Sequence, residues 1–416
     1  MAEPSAPPSS PEPAPPSTTG PPSPSPGVLA ATIGDELVLY DPDRGRAHRL
    51  NRSAAAVWEG LQAGLSGDEL VAVLADAFAV DPAAVATDVA TMLDVLAGEG
   101  LVAGAGLRAP APAPPPVQGS WLTLPPADEP PGQAPAPHPV PPVLALHTGV
   151  ELATSSAEVS AYLGELLAPL RAPAGTAVER RFELVSEPGG VELRTGDKLL
   201  RTAIDWPIAI RQVVIGLNHL AAHPDPADLV TVHAGAVAID GRVVLLAGEP
   251  GAGKSTLVTA LVADGATYLS DEVVGLADDG TAVAFPKVIA LELDAEGVLG
   301  ELPSDDAHPD LRDRHQRLVD PHALGVAAAP GTTLPLAAVV LPTYVPGALG
   351  AATACDPVEA LLALLANAFN LAERGAPGLA LLADVAVSLP VVRLEVDDLT
   401  AAVATVRSIV AGGEHS

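Results

Sequence analysis

Gly248-Glu249-Pro250-Gly251-Ala252-Gly253-Lys254-Ser255, followed by Thr256, is the stretch of the chain richest in chemistry. Its spacing of glycines, lysine and serine fits the phosphate-binding loop pattern in full. Glycines let the backbone curl so that successive N–H groups face one anion. A helix starting at Lys254 would add its partial positive charge. The lysine supplies a flexible point charge for terminal phosphates, and the Ser255 hydroxyl can meet Mg²⁺. The whole chain has three lysines, Lys198, Lys254 and Lys287, so one falling here by accident is a poor explanation.

Two carboxylates follow at a useful distance. Asp271 and Glu272 lie 17 and 18 residues past Lys254, one helix and one strand later. That spacing can return them to the mouth of the loop. In-line phosphoryl transfer needs a metal clamp and a group that receives the acceptor's proton. Adjacent acids could divide those tasks; the bland alternative is a solvated acid pair at a strand end. His233 sits on the strand leading toward the loop and is either a site residue or a structural one. Lys287 follows Phe285-Pro286 and either reaches a phosphate or is structural. Arg312, Arg314 and Arg317, with Asp310 and Asp313, read as an exposed salt-bridged helix or as a substrate contact.

The elements needed to position these residues can be read around them. Val243 to Leu246 is an apolar strand before the loop, and Thr256 to Val262 a helix after it. Val232 to Ile239 forms a hairpin with that strand through an Asp240-Gly241 turn. Thr267-Tyr268-Leu269 is a short strand delivering the acid pair, and a further hairpin turns at Asp279-Gly280. Upstream, residues 191–193 and 198–200 suggest another hairpin, and a helix is expected from Trp206 to about Leu220.

Near the N-terminus, Leu37 to Tyr40 is a strand, Asp41 to Gly45 a turn, and Arg46 to Leu50 a return strand. Asn51 or Ser53 caps a first helix through Trp58 and Leu61. Ser66 and Glu69 form a capping box for a second, with Leu70, Val73, Leu74 and Phe78 on one face. Asp81-Pro82 opens a third, with the stripe Val85, Val89, Met92, Leu93 and Leu96. A hairpin plus three helices in this length reads as a winged-helix-like module.

Proline separates the parts. Of 45 prolines, 11 lie in residues 1–27 and 14 in residues 108–142. The expected organisation is a disordered Pro/Ser tail (1–27), a small α+β module (28–105), a disordered Pro/Ala linker (106–142) and a large α/β domain (143–416). Trp121 and Leu122, in the linker, could pack back on a domain.

The formal net charge of −30 disfavours a duplex nucleic-acid partner and an anionic membrane surface. Residues 323–355 are uncharged but broken by four prolines, which argues against a membrane span. One cysteine, Cys355, and an N-terminus without a basic and apolar leader fit the cytoplasm.

The large domain resembles the HPr kinase-like family, which is related to phosphoenolpyruvate carboxykinase. The residues carrying the likeness are Val232 to Val237, the Asp240-Gly241 turn, Gly248 through Thr256, and Tyr268 to Glu272. The resemblance implies an α/β P-loop domain that uses Mg²⁺ and ATP to phosphorylate a protein serine. It implies Asp271 as the base on the acceptor hydroxyl, with Ser255 and Glu272 near Mg²⁺. Two features depart from the family: the pair is Asp-Glu where two aspartates are common, and the downstream glycine-rich signature of true HPr kinases is missing. Residues 28–103 resemble the PqqD-like peptide-chaperone family through Leu39 to Pro42, His48 to Asn51, Ala54 to Trp58 and Asp81-Pro82. Such modules bind the leader of a ribosomally made precursor peptide as an added strand. Arg44, Arg46, Arg49 and Arg52 form a local basic cluster, either a leader contact or a solvated hairpin.

The expectation is therefore a peptide kinase in which residues 28–105 hold the leader. Catalysis falls to Asp271, Lys254 and His233. Nucleotide is held by Gly248, Gly251, Ala252, Gly253, Lys254, Ser255, Thr256 and Lys287, and Mg²⁺ by Ser255 and Glu272. The donor is ATP or another phosphoryl compound such as pyrophosphate. Other peptide-modifying enzymes are candidate partners, and self-assembly is open. The rival readings are a peptide-delivery protein that binds or is switched by nucleotide, and a small-molecule kinase with an accessory domain.

Overall fold

The computed structural model describes residues 21–104, 106–107, 110, 137–196, 198–225, 227–293, 296–300, 302–303, 308–313 and 315–412. Most of the expected tail and linker, with Trp121 and Leu122, lies outside the described residues, as does Arg314.

The N-terminal elements are β1 (Ser23–Pro24), β2 (Leu29–Ile33), β3 (Glu36–Asp41), β4 (Arg46–Leu50), α1 (Arg52–Gln62), α2 (Gly67–Phe78), α3 (Pro82–Gly98) and β5 (Val102–Ala103). β2, β3 and β4 form a three-stranded sheet with β3 in the middle, while β1 pairs with β5. Each helix starts where its cap residue says it should. The Asn51 side chain accepts from the Ala54 amide at 3.0 Å. The Ser66 amide donates to Glu69 Oε2 at 2.8 Å, and the Ser66 hydroxyl accepts from the Glu69 amide in return. Asp81 caps α3 ahead of Pro82. The buried stripe of α2 is narrower than its periodicity suggests. Leu70 and Leu74 are buried, but Val73 and Phe78 are exposed, and α2 packs against both α1 and α3.

The chain separates into two compact units. α1–α3, β1 and β5 belong to the first. Most of β2–β4 belongs to the second, where Ile33, Val38 and Tyr40 join a large apolar cluster.

The second unit continues with β6 (His138–Ala145), β7 (Thr148–Thr154), α4 (Ala157–Leu166), a 3-10 turn (Ala168–Leu170), β8 (Arg180–Glu187), β9 (Gly190–Thr195), β10 (Lys198–Ala203) and α5 (Trp206–Ala222). These strands form a sheet in the order β10-β9-β8-β7-β6. β6 begins inside the segment expected to be linker. Its prolines are tolerated because it is the edge strand of this sheet, with β7 as its ladder partner.

Next come β11 (Val230–Ile239), β12 (Arg242–Ala247), α6 (Lys254–Ala263), β13 (Thr267–Ser270), β14 (Val273–Leu276), β15 (Thr281–Val283), β16 (Ile289–Glu292), α7 (Glu296–Leu299), β17 (Gln316–Val319) and α8 (Pro321–Leu324). The chain ends with β18 (Thr333–Tyr344), β19 (Leu349–Ala354), α9 (Pro357–Ala366), α10 (Leu371–Ser388), β20 (Val391–Val396) and α11 (Leu399–Gly412). Among the described residues no helix spans Arg312 and Arg317, so the helical reading of this run does not hold there. Arg317 lies on β17, and its guanidinium donates to the carbonyls of Leu302 and Pro303 at 2.9 and 2.8 Å.

β11 and β18 are long enough to serve two sheet regions. β11 pairs with β14 through Val230–His233 and with β12 through Ala234–Ile239. β18 pairs with β15 through its first residues, then runs parallel to both β12 and β20. Alternation along the strands feeds two cores. Ala234, Ala236, Leu245 and Ala247 face the cluster containing α9 and α10, while Val237, Val244 and Leu246 face α6 and α11. The uncharged stretch of residues 323–355 is largely β18 and β19. Among the described residues no helix is long and apolar enough to cross a membrane.

Candidate functional site

The loop after β12 is shaped by glycine. Gly251 and Gly253 have φ of +80° and +84°, a region in which an L side chain is strained. Gly253 is the cap residue of α6, so the amides of the first helical turn open onto the loop. The strand-loop-helix order is the one the glycine and lysine spacing requires. Close packing holds it in place: a Cβ on Gly235 of β11 would sit 2.5 Å from Val258 of α6.

Lys254 is buried. Its Nζ donates to the carbonyls of Gly248 and Glu249 at 2.7 and 3.0 Å. Burial lowers its pKa from the ordinary lysine value. The ammonium is thus folded back over the loop onto two neutral carbonyls. An anion would hold it more strongly.

β13 delivers the acids. Ser270 Oγ accepts from the amides of Glu272 and Val273, each at 3.3 Å, and so shapes the turn into β14. Asp271 is 2% exposed. Its Oδ1 accepts from Tyr268 Oη at 2.9 Å and Lys287 Nζ at 2.7 Å, and its Oδ2 from the Ala290 amide at 3.1 Å. Lys287 also donates to the Val288 carbonyl at 3.1 Å. Burial, reinforced by the Asp271 charge, pushes the Tyr268 phenol well above its ordinary value, so it stays a donor.

Glu272 turns the other way. Its Oε1 lies 3.7 Å from His233 Nε2. Burial raises its pKa, opposed by Lys287 and Lys254. Burial, with Lys254 adding to it, lowers His233 to about 4, so the imidazole is neutral near pH 7. The backbone amide of His233 donates to the Asn367 carbonyl at 2.7 Å, fixing the strand on which the ring stands.

These groups share one cleft of about 510 Å³. Its walls include His233, Lys254, Ser255, Asp271 and Glu272, with Gly251, Gly253 and Thr256 along the loop. Most residues expected from sequence therefore meet here, but Gly248, Ala252 and Lys287 are not on the wall, and the Lys287 ammonium is taken up by Asp271. Three contributors had not been expected. Tyr268 holds Asp271, the Ala290 amide holds its other oxygen, and the β16–β17 hairpin supplies Glu292 and Gln316 to the wall. The arginine run contributes nothing to the wall among its described members.

The donor set suits a hard cation that arrives with phosphates. Ser255 and Glu272 both offer oxygen ligands on the cleft wall. Among the described residues no group of three or more His, Cys, Asp or Glu could hold a metal on its own. Mg²⁺ commonly takes one or two protein oxygens and completes its shell with phosphate and water.

Comparison with known proteins adds the N-terminal identity. Residues 36–102 match the family described as Coenzyme PQQ synthesis protein D (PqqD). Residues 36–102 are a PqqD domain. The PqqD domain takes in β3, β4 and all three N-terminal helices. Among solved structures, one similar chain is described as "TbiB1 in Complex with the TbiA(beta) Leader Peptide". It is 28% identical and aligns over 21% of this chain and 98% of that one, with a TM-score of 0.20. Another is the Hpr(Ser) kinase/phosphatase from Coxiella burnetii. It is 16% identical and aligns over 44% of this chain and 98% of that one, with a TM-score of 0.25. No curated protein matches the chain.

Proposed function

We propose that the chain is a kinase for a ribosomally made precursor peptide. The PqqD domain binds the leader, and the cleft transfers the terminal phosphoryl group of ATP to a serine or threonine hydroxyl of the core. The observation that carries this reading is the meeting, in one cleft, of the 248–256 loop, Lys254, and the Asp271-Glu272 pair with His233. The motifs shared with HPr kinase-like enzymes support it.

Each residue then has a task. The loop amides and the start of α6 receive the phosphates. Lys254 leaves the Gly248 and Glu249 carbonyls for a phosphate oxygen. Ser255 and Glu272 would hold Mg²⁺, which would supply neutralising charge to the phosphates. Asp271 keeps one lone pair of Oδ2 for the incoming hydroxyl, since an ionised carboxylate has about four acceptor sites and three are used here. The acceptor proton passes to that oxygen as the new O–P bond forms and the bond from the terminal phosphorus to the bridging oxygen breaks, releasing ADP. Neutral His233 steadies Glu272 without adding charge. Tethering by the leader makes a weak core-peptide encounter nearly intramolecular.

A second reading is favoured by one observation, the burial of Asp271. A nucleotide-binding protein that only delivers the peptide would need no exposed base. Incubating the protein with Mg-ATP and candidate precursor peptides, then weighing the peptides, separates the two. The kinase reading expects a gain of one phosphoryl unit, lost in Asp271→Asn while nucleotide binding persists. Nucleotide binding with no mass gain on any peptide supports delivery instead.

A further inference from the structure

We infer that Tyr268 and Lys287 are positioning residues for Asp271, so that Lys287 serves the acceptor end of the transfer rather than the phosphates. The inference rests on the kinase reading for its consequence in turnover, and on the geometry alone for the contact itself.

Three donors from three places converge on one carboxylate. Tyr268 comes from β13, Lys287 from the segment before β16, and the Ala290 amide from β16 itself. Oδ1 takes both side-chain donors, and Oδ2 takes the amide alone. The open lone pair is therefore on Oδ2, and the side-chain donors decide where it points. A carboxylate with one donor could rotate about its Cβ–Cγ bond; with these three it cannot do so without breaking two or more hydrogen bonds.

Residue usage points the same way. Lys287 is one of three lysines in the chain and is 3% exposed, a location lysine almost never takes unless paired. Tyr268 is fully buried, and a phenylalanine would fill the same core without a hydroxyl to satisfy. A buried ion pair is a poor way to gain stability compared with apolar packing of the same volume. The arrangement makes sense if orientation of Asp271 is what it secures. It also ties Asp271 to the cleft wall, because Ala290 precedes Leu291 and Glu292, both of which line the cleft.

The test uses the full chain with Tyr268→Phe and Lys287→Met. Three quantities are read: the Kd for Mg-ATP, kcat and KM for release of the terminal phosphoryl group to peptide or water, and hydrogen exchange at the Ala290 amide. The expected result is Kd and KM within about twofold of the parent, with kcat reduced about tenfold in Tyr268→Phe and about a hundredfold in Lys287→Met. Ala290 exchange should quicken about tenfold or more in both, since its acceptor is no longer fixed. A Kd weakened about tenfold in Lys287→Met, with Ala290 exchange unchanged, would overturn the inference and make Lys287 a phosphate contact. If Lys287→Met does not fold, Tyr268→Phe decides, because it keeps the ring and removes only the hydroxyl. If the parent protein transfers no phosphoryl group at all, the kinase reading fails by itself. The exchange and Kd results then still decide whether Asp271 is held as described, and unchanged exchange in both variants overturns it.

Discussion

Lys254 offers the most direct test at the level of single residues. Its ammonium spends itself on two backbone carbonyls, which an anion would displace. Lys254→Met should weaken Mg-ATP binding by about tenfold or more, read by calorimetry, with little loss of fold because only two neutral acceptors are released. Equal affinity in the variant would remove the lysine from the nucleotide site. Lys254, Ser255, Asp271 and Glu272 were legible from sequence because type and spacing together restrict what they can do. Sequence leaves Lys287 open between a phosphate contact and a structural role, and in the structure its ammonium meets Asp271. It lies 16 residues from Asp271, and nothing local tells whether a lysine there turns to phosphate or carboxylate. Tyr268 gave no signal, since a tyrosine in a buried strand reads as core.

Elements were legible where a cap or a turn fixes their limits. Asn51, Ser66 and Asp81 each start a helix with the side-chain bond that their type predicts. Asp240 and Gly241 both take positive φ, as a tight hairpin turn demands. β6 was missed because proline density masked an edge strand. The β16–β17 contribution was missed because its strands are separated by more than twenty residues of weak pattern. Two predictions belong to this scale. Gly235→Ala should lower stability by ~1–3 kcal/mol, because its Cβ would meet Val258 at 2.5 Å and push α6 away from β11. Denaturant midpoints measure the loss, and a neutral result would mean that α6 can shift freely. Ser66→Ala should cost about 1 kcal/mol through the lost capping box of α2, by the same measurement.

For the whole molecule, proline density suggests a small module and a large domain, while Ile33, Val38 and Tyr40 join a large apolar cluster with residues far along the chain. That could not be read from composition, because burial of Ile33, Val38 and Tyr40 depends on tertiary packing. Folding stability should also depend on pH in a set direction. Burial, with His223 nearby, holds His219 below its ordinary value of 6.5. Around and below that pH the unfolded chain takes up a proton that the folded chain refuses. Stability therefore falls as pH drops from neutrality through 6.5, and is retained above it. His219→Gln should flatten this decline between neutrality and mildly acid pH in urea unfolding; an unchanged slope would remove His219 as a contributor.

The claim that the two parts act on one peptide is tested most directly by comparing phosphoryl transfer from Mg-ATP to a full precursor peptide and to the same peptide without its leader. The account predicts a kcat/KM about tenfold or more higher for the full peptide, and inhibition of its phosphorylation by excess free leader. Equal rates on the two peptides, or no transfer to either while Mg-ATP is bound, would contradict it.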